Sequence, residues 1–321
     1  MRVALLGAGR IGRVHAPNIA AHPRSSLAAV VDPIQDAAQE LADTVGARVM
    51  SEDEMFADPS IDAVLIASST HRHADQIEKA ASSKKAILCE KPIDLDISRV
   101  RDVESHLKEH PVPMMLGFNR RFDPNFQTLK AQIDNGTIGN VEMVTILSRD
   151  PGLPPIDYIK VSGGLFRDMM IHDLDVARWL VGETFDSVSA MGSVLVDPAV
   201  GEAGDVDTAV VTLKTKSGKL VSITNSRRAR YGYDQRIEVH GSKGLVAAEN
   251  MRETTVITAT ESGVRLEKPM HFFLERYAQA YRNEWDAFVR FVLDGDKNVP
   301  GIEDGIASLD LADRCVALVK P

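Results

Sequence analysis

A glycine-rich hexapeptide near the start of the chain constrains the fold more than any other feature of the sequence. Residues 7–12 read Gly7-Ala8-Gly9-Arg10-Ile11-Gly12, after the apolar run Arg2–Leu6 and before an amphipathic stretch. In such a pattern one glycine makes a tight turn, one lets the backbone approach a pyrophosphate, and one lets the next helix pack against the strand. Unbonded N–H groups and the helix dipole then favour an anion at the helix N-terminus. The hexapeptide therefore predicts a strand, a phosphate-binding turn and a helix.

An acidic residue follows this loop at the distance typical of dinucleotide-binding folds. Asp32 ends the apolar run Leu27–Val31, 20 residues after Gly12, where an acid hydrogen-bonds the ribose of NAD. Its charge would repel the 2′-phosphate of NADP, so we expect NAD as the cofactor. A plain turn residue before Pro33 is the alternative. The cofactor-binding residues expected from this part of the chain are Gly7, Gly9, Arg10, Ile11, Gly12 and Asp32.

Short apolar runs alternate with amphipathic stretches over the first 117 or so residues. The runs that predict buried parallel strands are Arg2–Leu6, Leu27–Val31, Ala63–Ile66, Ala86–Leu88 and Pro113–Leu116. Helical patterns such as Pro33–Val45, Ala74–Ser83 and Ile97–His110 lie between them. This alternation is typical of a doubly wound α/β sheet. We therefore expect an N-terminal Rossmann domain with a parallel sheet over residues 1–119.

The pattern changes after Gly117 and predicts a second domain over residues 120–301. A helical segment, Asn125–Asn135, precedes several β-branched runs. These runs are Val141–Leu147, Ala209–Lys214, Leu220–Asn225, Arg236–Val239 and Thr254–Ala259. Turn sequences separate them, which favours an α+β domain with a large, mostly antiparallel sheet. Helices are expected at about His271–Leu293 and at Ile302–Val319, the latter packing back near the first domain.

Composition excludes several classes of function. The chain has 37 Lys and Arg against 46 Asp and Glu, a net charge of −9, which disfavours nucleic acid as a partner. Two cysteines without metal-type spacing exclude a disulfide framework or a zinc module, and we expect Cys89 to be a buried thiol. We expect no membrane span and no signal peptide, and hence a cytoplasmic protein.

A lysine follows the apolar run Ala86–Leu88. In Cys89-Glu90-Lys91-Pro92, the lysine lies at the carboxyl end of a parallel strand, where open α/β sheets bind ligands. The proline fixes the local turn. On spacing alone, a solvated lysine at a strand end is the alternative.

One apolar segment carries polar residues at helical spacing. In the stretch Gly163–Leu180, Asp168, His172 and Asp175 fall on one face of an α-helix that is otherwise largely apolar. A carboxylate one turn from an imidazole suits a general base, and a buried structural His–Asp pair is the alternative. No convincing third ligand accompanies His172 and Asp175, so we expect no metal. The sequence offers no role for Asp173.

Three further segments are candidates for binding. Ser68, Ser69 and His73 follow the run Ala63–Ile66 and open a helix, where they would contact the cofactor or form an N-cap. Arg120, in Gly117–Asp123, lies at the expected domain junction and would bind substrate hydroxyls or pair with an acid. The basic, aromatic run Arg227–Asp234 is expected at a solvated sheet edge or a subunit contact.

Five of these features occur in the same order in the glucose–fructose oxidoreductase/inositol dehydrogenase (Gfo/Idh/MocA) family, which the chain resembles over nearly its whole length. They are the loop 7–12, Asp32, Glu90-Lys91-Pro92, Gly117–Asp123 and Asp168–His172. Gly163–Leu180 and Arg227–Asp234 most resemble the bacterial inositol 2-dehydrogenase branch. The resemblance implies NAD-linked oxidation of myo-inositol to 2-keto-myo-inositol (scyllo-inosose) in inositol catabolism by a homotetramer.

The resemblance also implies residue roles at matching positions. Lys91 would contact the reacting hydroxyl, His172 would accept its proton, and Asp168 would orient the same region. Arg120 and Tyr231 would line the polyol pocket, with Tyr233 as the other tyrosine that fits the match. Ser68, Ser69, His73, Glu90 and Lys91 would contact the cofactor. The family's usual Thr-Pro-Asn after the strand is replaced here by Ser69-Thr70-His71.

Two alternatives remain open on the sequence. One is a dehydrogenase for another substrate, such as scyllo-inositol, D-chiro-inositol or an aldose. The other, from a different class, is a dinucleotide-binding sensor without turnover. The combination of Lys91, Asp168 and His172 disfavours a sensor, since a sensor needs no base.

Overall fold

Six parallel strands form the first sheet of the protein, for which a computed structural model describes residues 1–319. The strands are β1 (Arg2–Leu6), β2 (Ser26–Val31), β3 (Arg48–Val49), β4 (Ala63–Ile66), β5 (Ala86–Glu90) and β6 (Met114–Gly117). Their order is β3-β2-β1-β4-β5-β6, and every neighbouring pair is parallel. This is the strand order of dinucleotide-binding folds. Strands β2 and β3 are added on one side of β1, and strands β4 to β6 are added on the other side. The predicted parallel sheet is confirmed, and the two-residue β3 is the strand that the apolar runs did not predict.

Amphipathic helices cover this sheet. They are α1 (Arg10–Ala21), α2 (Gln35–Val45), α3 (Glu52–Ala57), α4 (Thr70–Ser82) and α5 (Ile97–Glu109), followed by a 3₁₀ turn at Asn119–Phe122. Strands β1 and β4 are buried along nearly their whole length, as their continuous apolar runs predict. Among the residues described, no helix is long and apolar enough to cross a membrane.

A second, mixed sheet lies in the C-terminal half. Its strands are β7 (Val141–Arg149), β8 (Phe185–Ser193), β9 (Thr208–Thr215), β10 (Leu220–Ser226), β11 (Asp234–Gly241) and β12 (Gly244–Ala248), in the order β12-β11-β7-β10-β9-β8. Only β7 and β10 pair in parallel, and the other four pairs are antiparallel. The predicted mostly antiparallel sheet is confirmed, with β8 and β12 as additional strands, but the run Thr254–Ala259, which was predicted as a further strand, lies outside it. A separate exposed hairpin is formed by β13 (Ile257–Thr260) and β14 (Gly263–Leu266).

The remaining helices lie before, between or after the strands of this sheet in the chain. They are α6 (Pro124–Asp134), α7 (Ile156–Ser162), α8 (Ile171–Val181), α9 (Pro198–Glu202), α10 (Phe273–Arg276), α11 (Ala278–Asp294) and α12 (Ile302–Val319), with a π-helix at Leu165–Met170. One predicted helix, His271–Leu293, is divided into α10 and α11. The bounds of α12 match the prediction.

The chain divides into two compact units whose bounds differ from the expected domains. The first contains residues 1–122 and 280–309, and the second contains 123–279 and the last residues from 310. Residues 280–301, which we expected in the second domain, lie in the first because Trp285, Phe288 and Val289 belong to the core around the parallel sheet. Helix α12 contributes its first half to the first unit and its second half to the second. In the first unit, Pro300 accepts a hydrogen bond from the Leu116 amide of β6 (2.9 Å).

Both cysteines are buried and carry free thiols. Burial raises the pKa of Cys89 well above its ordinary value and that of Cys315 to about 12. Both groups are therefore protonated, inert thiols at neutral pH. The expectation of a buried thiol at Cys89 is confirmed.

Candidate active site

The glycine loop between β1 and α1 has the geometry that a bound pyrophosphate requires. Gly7 has φ +107°, and a Cβ there would lie 2.4 Å from the Ala67 carbonyl oxygen. A Cβ on Gly12 would lie 2.0 Å from the Gly7 carbonyl oxygen. Neither position accepts a side chain. Around the Cβ position of Gly9, in contrast, no atom lies within 4 Å, so the loop leaves open space where a phosphate approaches the backbone.

The N-terminus of α1 is suited to an anion. Gly9 is its N-cap residue, no side chain caps the helix, and its first turn contains no acidic residue. The N-cap glycine has no side chain that could accept from the first N–H groups, and the dipole of this 12-residue helix favours a negative charge there. Exposed Arg10 begins the helix. Together with the space at Gly9, these features fit the pyrophosphate of a dinucleotide.

Asp32 connects the end of β2 to this loop. Its Oδ2 accepts a hydrogen bond from the Ala8 amide (2.7 Å), and its Oδ1 accepts one from the Ile34 amide (2.8 Å). Each carboxylate oxygen has a second lone pair, so these two bonds orient the group and leave it able to accept ribose hydroxyls. Asp32 is thus a turn residue at the end of β2 whose carboxylate retains lone pairs for a ligand hydroxyl. Ile34, two residues on, is a large apolar side chain with 65% exposure, a feature that sequence analysis did not single out.

The loop after β4 lies against the glycine loop. The position of a Cβ on Gly7 would be 2.7 Å from the Ser68 amide nitrogen, so the two backbones are in contact. The Ser68 hydroxyl donates to Gln76 Oε1 (2.6 Å). Ser69 occupies the N-cap position of α4, but its hydroxyl makes no cap hydrogen bond. Ser69 is exposed, and its hydroxyl can therefore serve a ligand.

His73 links this loop to the turn after β5. The ring is buried, with Nδ1 2.8 Å from the Pro92 carbonyl oxygen and Nε2 3.0 Å from the Ser68 carbonyl oxygen. Burial lowers the pKa of His73, although both carbonyls oppose the shift. The ring nitrogens are thus occupied by main-chain oxygens. We expect any contribution of His73 to cofactor binding to be positional, through Ser68 and Pro92.

Lys91 follows directly after β5, at the carboxyl edge of the parallel sheet. The peptide bond between Lys91 and Pro92 is cis. Glu90, the last residue of the strand, accepts a hydrogen bond from His15 of α1, with 2.7 Å between Nε2 and Oε1. The glycine loop, Asp32, Ser68, His73 and Lys91 are therefore grouped at one edge of the sheet. Arg120 also lies in this unit, buried in the 3₁₀ turn directly after β6.

In the second unit, the polar stripe begins on a π-helix. We expected one α-helix to carry Asp168, His172 and Asp175, but residues 165–170 form a π-helix and α8 begins only at Ile171. His172 and Asp175 are three positions apart on α8, whereas Asp168 belongs to the wider turn before it. The single-helix prediction is wrong at this point because a π-helix bonds i to i+5, a pattern that apolar periodicity does not show. Such turns are frequent at functional sites.

Asp168 is held by two side chains. Its Oδ1 accepts from the Tyr158 hydroxyl (3.0 Å), and its Oδ2 accepts from Arg227 Nη2 (3.3 Å). Arg227 is 2% exposed and also lies 3.7 Å from Asp150. The carboxylate of Asp205 accepts a hydrogen bond from the Leu165 amide and so caps the π-helix. Burial raises the pKa of Asp205. These bonds fix the carboxylate of Asp168 at the start of the stripe.

His172 is partly exposed, whereas the acids after it are fully buried. Asp173 Oδ2 accepts from Asn225 Nδ2 (2.8 Å), which connects α8 to β10. Asp173, for which the sequence offered no role, is therefore a structural link between helix and sheet. An imidazole at the surface of a helix anchored in this way can accept a proton from a bound alcohol.

The run Arg227–Asp234 is solvated only in part, at Arg228, Arg230 and Tyr231. Arg227, Tyr233 and Asp234 are all buried, so the expectation is wrong for them: an arginine whose guanidinium is paired with acids can be buried. The Tyr233 ring lies edge-on to Phe272 and Tyr277, at centroid distances of 6.3 and 6.0 Å. It is part of an aromatic cluster.

Of the two tyrosines that fit the family match, Tyr231 and Tyr233, only Tyr231 is exposed. Its hydroxyl donates to Asp234 Oδ2 (2.5 Å) and accepts from Arg149 Nη1 (2.9 Å). Partial burial and the bond to Asp234 raise the pKa of Tyr231, so the hydroxyl stays protonated. Of the two tyrosines, Tyr231 is therefore the one available to a ligand.

Sequence reasoning missed the contacts that three side chains make with candidate site residues or their neighbours. Tyr158 and Arg227 contact Asp168, and buried Glu284 of α11 lies close to Glu90 and His15. Tyr158 and Arg227 are 10 and 59 residues from Asp168 in the chain, and no local pattern pairs them. Glu284 did leave a signal, since it is an acid on the apolar stripe that contains Tyr281, Trp285 and Phe288.

Comparison with known proteins accounts for both units. A family model described as an oxidoreductase family with an NAD-binding Rossmann fold matches residues 1–118. A model of the GFO/IDH/MocA C-terminal domain matches residues 126–247. Together the two models span most of the chain.

Individual relatives match over nearly the whole length. The chain is 52% identical over 320 residues to an inositol 2-dehydrogenase of Rhizobium meliloti, covering 99% of this chain and 97% of that protein. It is 47% identical over 311 residues to a myo-inositol 2-dehydrogenase of Thermotoga maritima, covering 96% and 93%. A crystal structure of scyllo-inositol dehydrogenase from Lactobacillus casei, with bound NAD(H) and scyllo-inositol, superimposes with a TM-score of 0.92 at 30% identity, covering 99% and 96%. The chain therefore belongs to the GFO/IDH/MocA family of oxidoreductases.

Proposed function

We propose that this protein is an NAD-dependent dehydrogenase that oxidises myo-inositol to 2-keto-myo-inositol, in inositol catabolism. The observation that carries the proposal is the similarity, over almost the full chain, to two enzymes named for inositol oxidation at position 2. The groups that such a reaction needs are present: a dinucleotide cradle, a lysine at the sheet edge and an imidazole beside fixed carboxylates. The test is an assay of NADH formation with a panel of inositol isomers and aldoses.

The cofactor would be held by the first unit. The glycine loop and the N-terminus of α1 would bind the pyrophosphate, Asp32 would accept ribose hydroxyls, and Ser69 lies in the adjoining loop. When bound, the nicotinamide supplies a hydride acceptor. The protein supplies position and charge.

Lys91 and His172 would act on the reacting alcohol. The ammonium of Lys91 would stabilise the negative charge that develops on the hydroxyl oxygen. His172 would accept the hydroxyl proton, and Asp168 would orient the same region through its fixed carboxylate. Arg120 and Tyr231 would contact further hydroxyls of the ring, since both carry hydrogen-bond donors suited to a polyol.

Replacing Asp32 is expected to change the choice of cofactor. In Asp32→Ala, the repulsion of a 2′-phosphate is lost, so the ratio of kcat/KM for NADP to that for NAD should rise on the order of tenfold or more. Use of NAD should also fall, because the Ala8 and Ile34 amides lose their acceptor. Asp36→Ala, which removes an exposed acid from the first turn of α2, should leave the ratio unchanged. An unaltered NAD preference in Asp32→Ala would remove the residue from the ribose site.

A second substrate, scyllo-inositol, is the alternative for the same mechanism. The observation that favours it is the structural match to the Lactobacillus casei enzyme that holds this isomer. The two isomers differ in the orientation of one hydroxyl, which pocket side chains such as Arg120 and Tyr231 would read. Comparing kcat/KM for the two isomers in one assay decides between them.

A homotetramer is the expected assembly. Large apolar side chains lie on the outer face of the mixed sheet at exposures of 44–75%: Met143, Met191, Val210, Leu220 and Leu245. Met143 pairs across strands with Leu220, and Met191 with Val210, so these residues are neighbours. Exposed apolar side chains grouped in this way on one sheet favour contact with a second copy of the chain.

Charge on that face is expected to dissociate the assembly. The double variant Met191→Glu/Leu220→Glu would bury unpaired carboxylates between copies, and light scattering should show a smaller particle than the tetramer of the unmodified protein. Leu293→Glu, at an exposed position near the end of α11, is the control and should not change the mass. A monomeric unmodified protein would contradict the assignment.

A cytoplasmic location likewise stays a prediction, testable by fractionation.

A further inference from the structure

A buried cluster of three titratable groups lies beneath the turn that carries Lys91. His15 of α1 and Glu284 of α11 are fully buried, and Glu90 at the end of β5 is almost so. One polar atom of each lies within 4.8 Å of the others. Two helices and one strand that are far apart in sequence thus bring an imidazole and two carboxyl groups together. His15 and Glu284 have no part in the mechanism above, and Glu90 enters the account only as an expected cofactor contact.

The hydrogen bonds of the cluster are incomplete. Nε2 of His15 is bonded to Glu90 Oε1 (2.7 Å), and since an ionised carboxylate can only accept, Nε2 carries the hydrogen. In a neutral imidazole Nδ1 is then an acceptor. Among residues 1–319, neither Nδ1 of His15 nor either oxygen of Glu284 has a hydrogen-bond partner. An acceptor without a donor therefore lies close to a buried acid.

We propose that Glu284 is protonated and donates to His15, directly or through one water molecule, so that Glu284, His15 and Glu90 form a hydrogen-bonded chain that positions Glu90 and the adjacent Lys91. A neutral acid removes the cost of burying a second negative charge beside Glu90. It also supplies the one hydrogen that the imidazole lacks. The positioning role rests on the proposed function of Lys91, whereas the protonation does not.

The surroundings of Glu284 agree with a neutral acid. Burial raises its pKa well above the ordinary value of a glutamic acid, and the charge of Glu90 acts in the same direction. Beyond His15 and Glu90, the nearby titratable groups are Lys91 and Cys89, which flank Glu90 in the chain, and buried His73, on which the charge of Glu90 also acts. The ring of Tyr281 lies edge-on to His15 at 5.3 Å. On the other side, a Cβ on Gly117 would lie 3.1 Å from Glu90 Oε2. Glu90 is therefore confined by His15 on one side and by the β6 backbone on the other.

The pH dependence of stability tests the protonation. Because the folded-state pKa of Glu284 is raised, folding binds a proton at pH values between the unfolded and folded pKa, and stability falls as pH rises through that window. Glu284→Gln and Glu284→Met both remove the titrating carboxyl group, and with it this loss of stability at higher pH. Their Tm relative to the unmodified protein should therefore increase from pH 5 to pH 8. Glu109→Gln changes an exposed glutamate at the end of α5, and its Tm should differ from that of the unmodified protein by the same amount at every pH.

Turnover tests the positioning. Glutamine can donate to Nδ1 of His15 and methionine cannot, so Glu284→Gln should retain kcat within about threefold, and Glu284→Met should lose on the order of tenfold or more in kcat with little change in the KM for NAD. A Tm difference independent of pH in both variants, or a stoichiometric metal ion lost in Glu284→Gln, would overturn the protonated acid. Equal kcat in the Gln and Met variants would overturn the positioning role. If no polyol is oxidised at all, the proposed function fails while the Tm readout still decides the protonation.

Discussion

Replacing His172 with alanine is expected to lower kcat by about 10²–10⁴-fold, the usual contribution of a positioned general base. The alcohol must lose its proton as hydride leaves, and His172 is the partly exposed imidazole that follows the fixed carboxylate of Asp168. Steady-state kinetics with NAD and myo-inositol measure the effect. The affinity for NADH should change little, because the glycine loop and Asp32 belong to the other unit.

Two controls separate loss of a base from loss of structure. His110→Ala changes an exposed histidine that precedes β6, at the sheet edge opposite the strand ends that carry the candidate site, and should retain full turnover. Free imidazole should restore part of the activity of His172→Ala by acting as the missing base. Full activity of His172→Ala without imidazole would refute the role of His172.

Replacing Lys91 with alanine is expected to lower kcat by about 10²–10³-fold, the cost of removing one group that stabilises a developing oxyanion. Lys91 directly follows β5, and its neighbour Glu90 is held by His15, so its backbone position is fixed by the sheet edge. Removing the ammonium leaves the alkoxide-like oxygen without its charge partner. The KM for NAD should also rise, since the residue is expected to contact the cofactor.

The matched comparison is Lys108→Ala, which removes an exposed lysine of α5 and should leave both constants unchanged. Lys91→Arg keeps the charge but presents a planar fork in place of a compact ammonium. We expect it to recover only part of the lost turnover. Turnover equal to that of the unmodified protein in Lys91→Ala would remove Lys91 from the site.

The features that could be predicted from sequence are those that local chemistry determines. The tight turn at Gly7 and the close packing at Gly12 need residues without a Cβ, and the buried parallel strands need continuous apolar runs. Both leave marks within a few residues. The same holds for Asp32, whose distance from the loop is fixed by one helix and one strand.

The features that could not be predicted depend on contacts between distant segments. Strand β8 mixes small, polar and apolar residues without a regular alternation and lies at the edge of its sheet, so its apolar pattern is weak. The π-helix before α8 is stabilised in part by Asp205, 40 residues after Leu165. Asp173 finds its partner Asn225 only once β10 is in place. Burial of Arg227 likewise depends on acids from two other segments.

The central claim is that this protein oxidises myo-inositol with NAD, and the formation of NADH, followed by its absorbance with each polyol and each nicotinamide cofactor, tests it most directly. We predict rapid turnover of myo-inositol with NAD and much slower turnover with NADP. Binding of NAD without oxidation of any inositol isomer or aldose would contradict the claim and indicate a dinucleotide sensor.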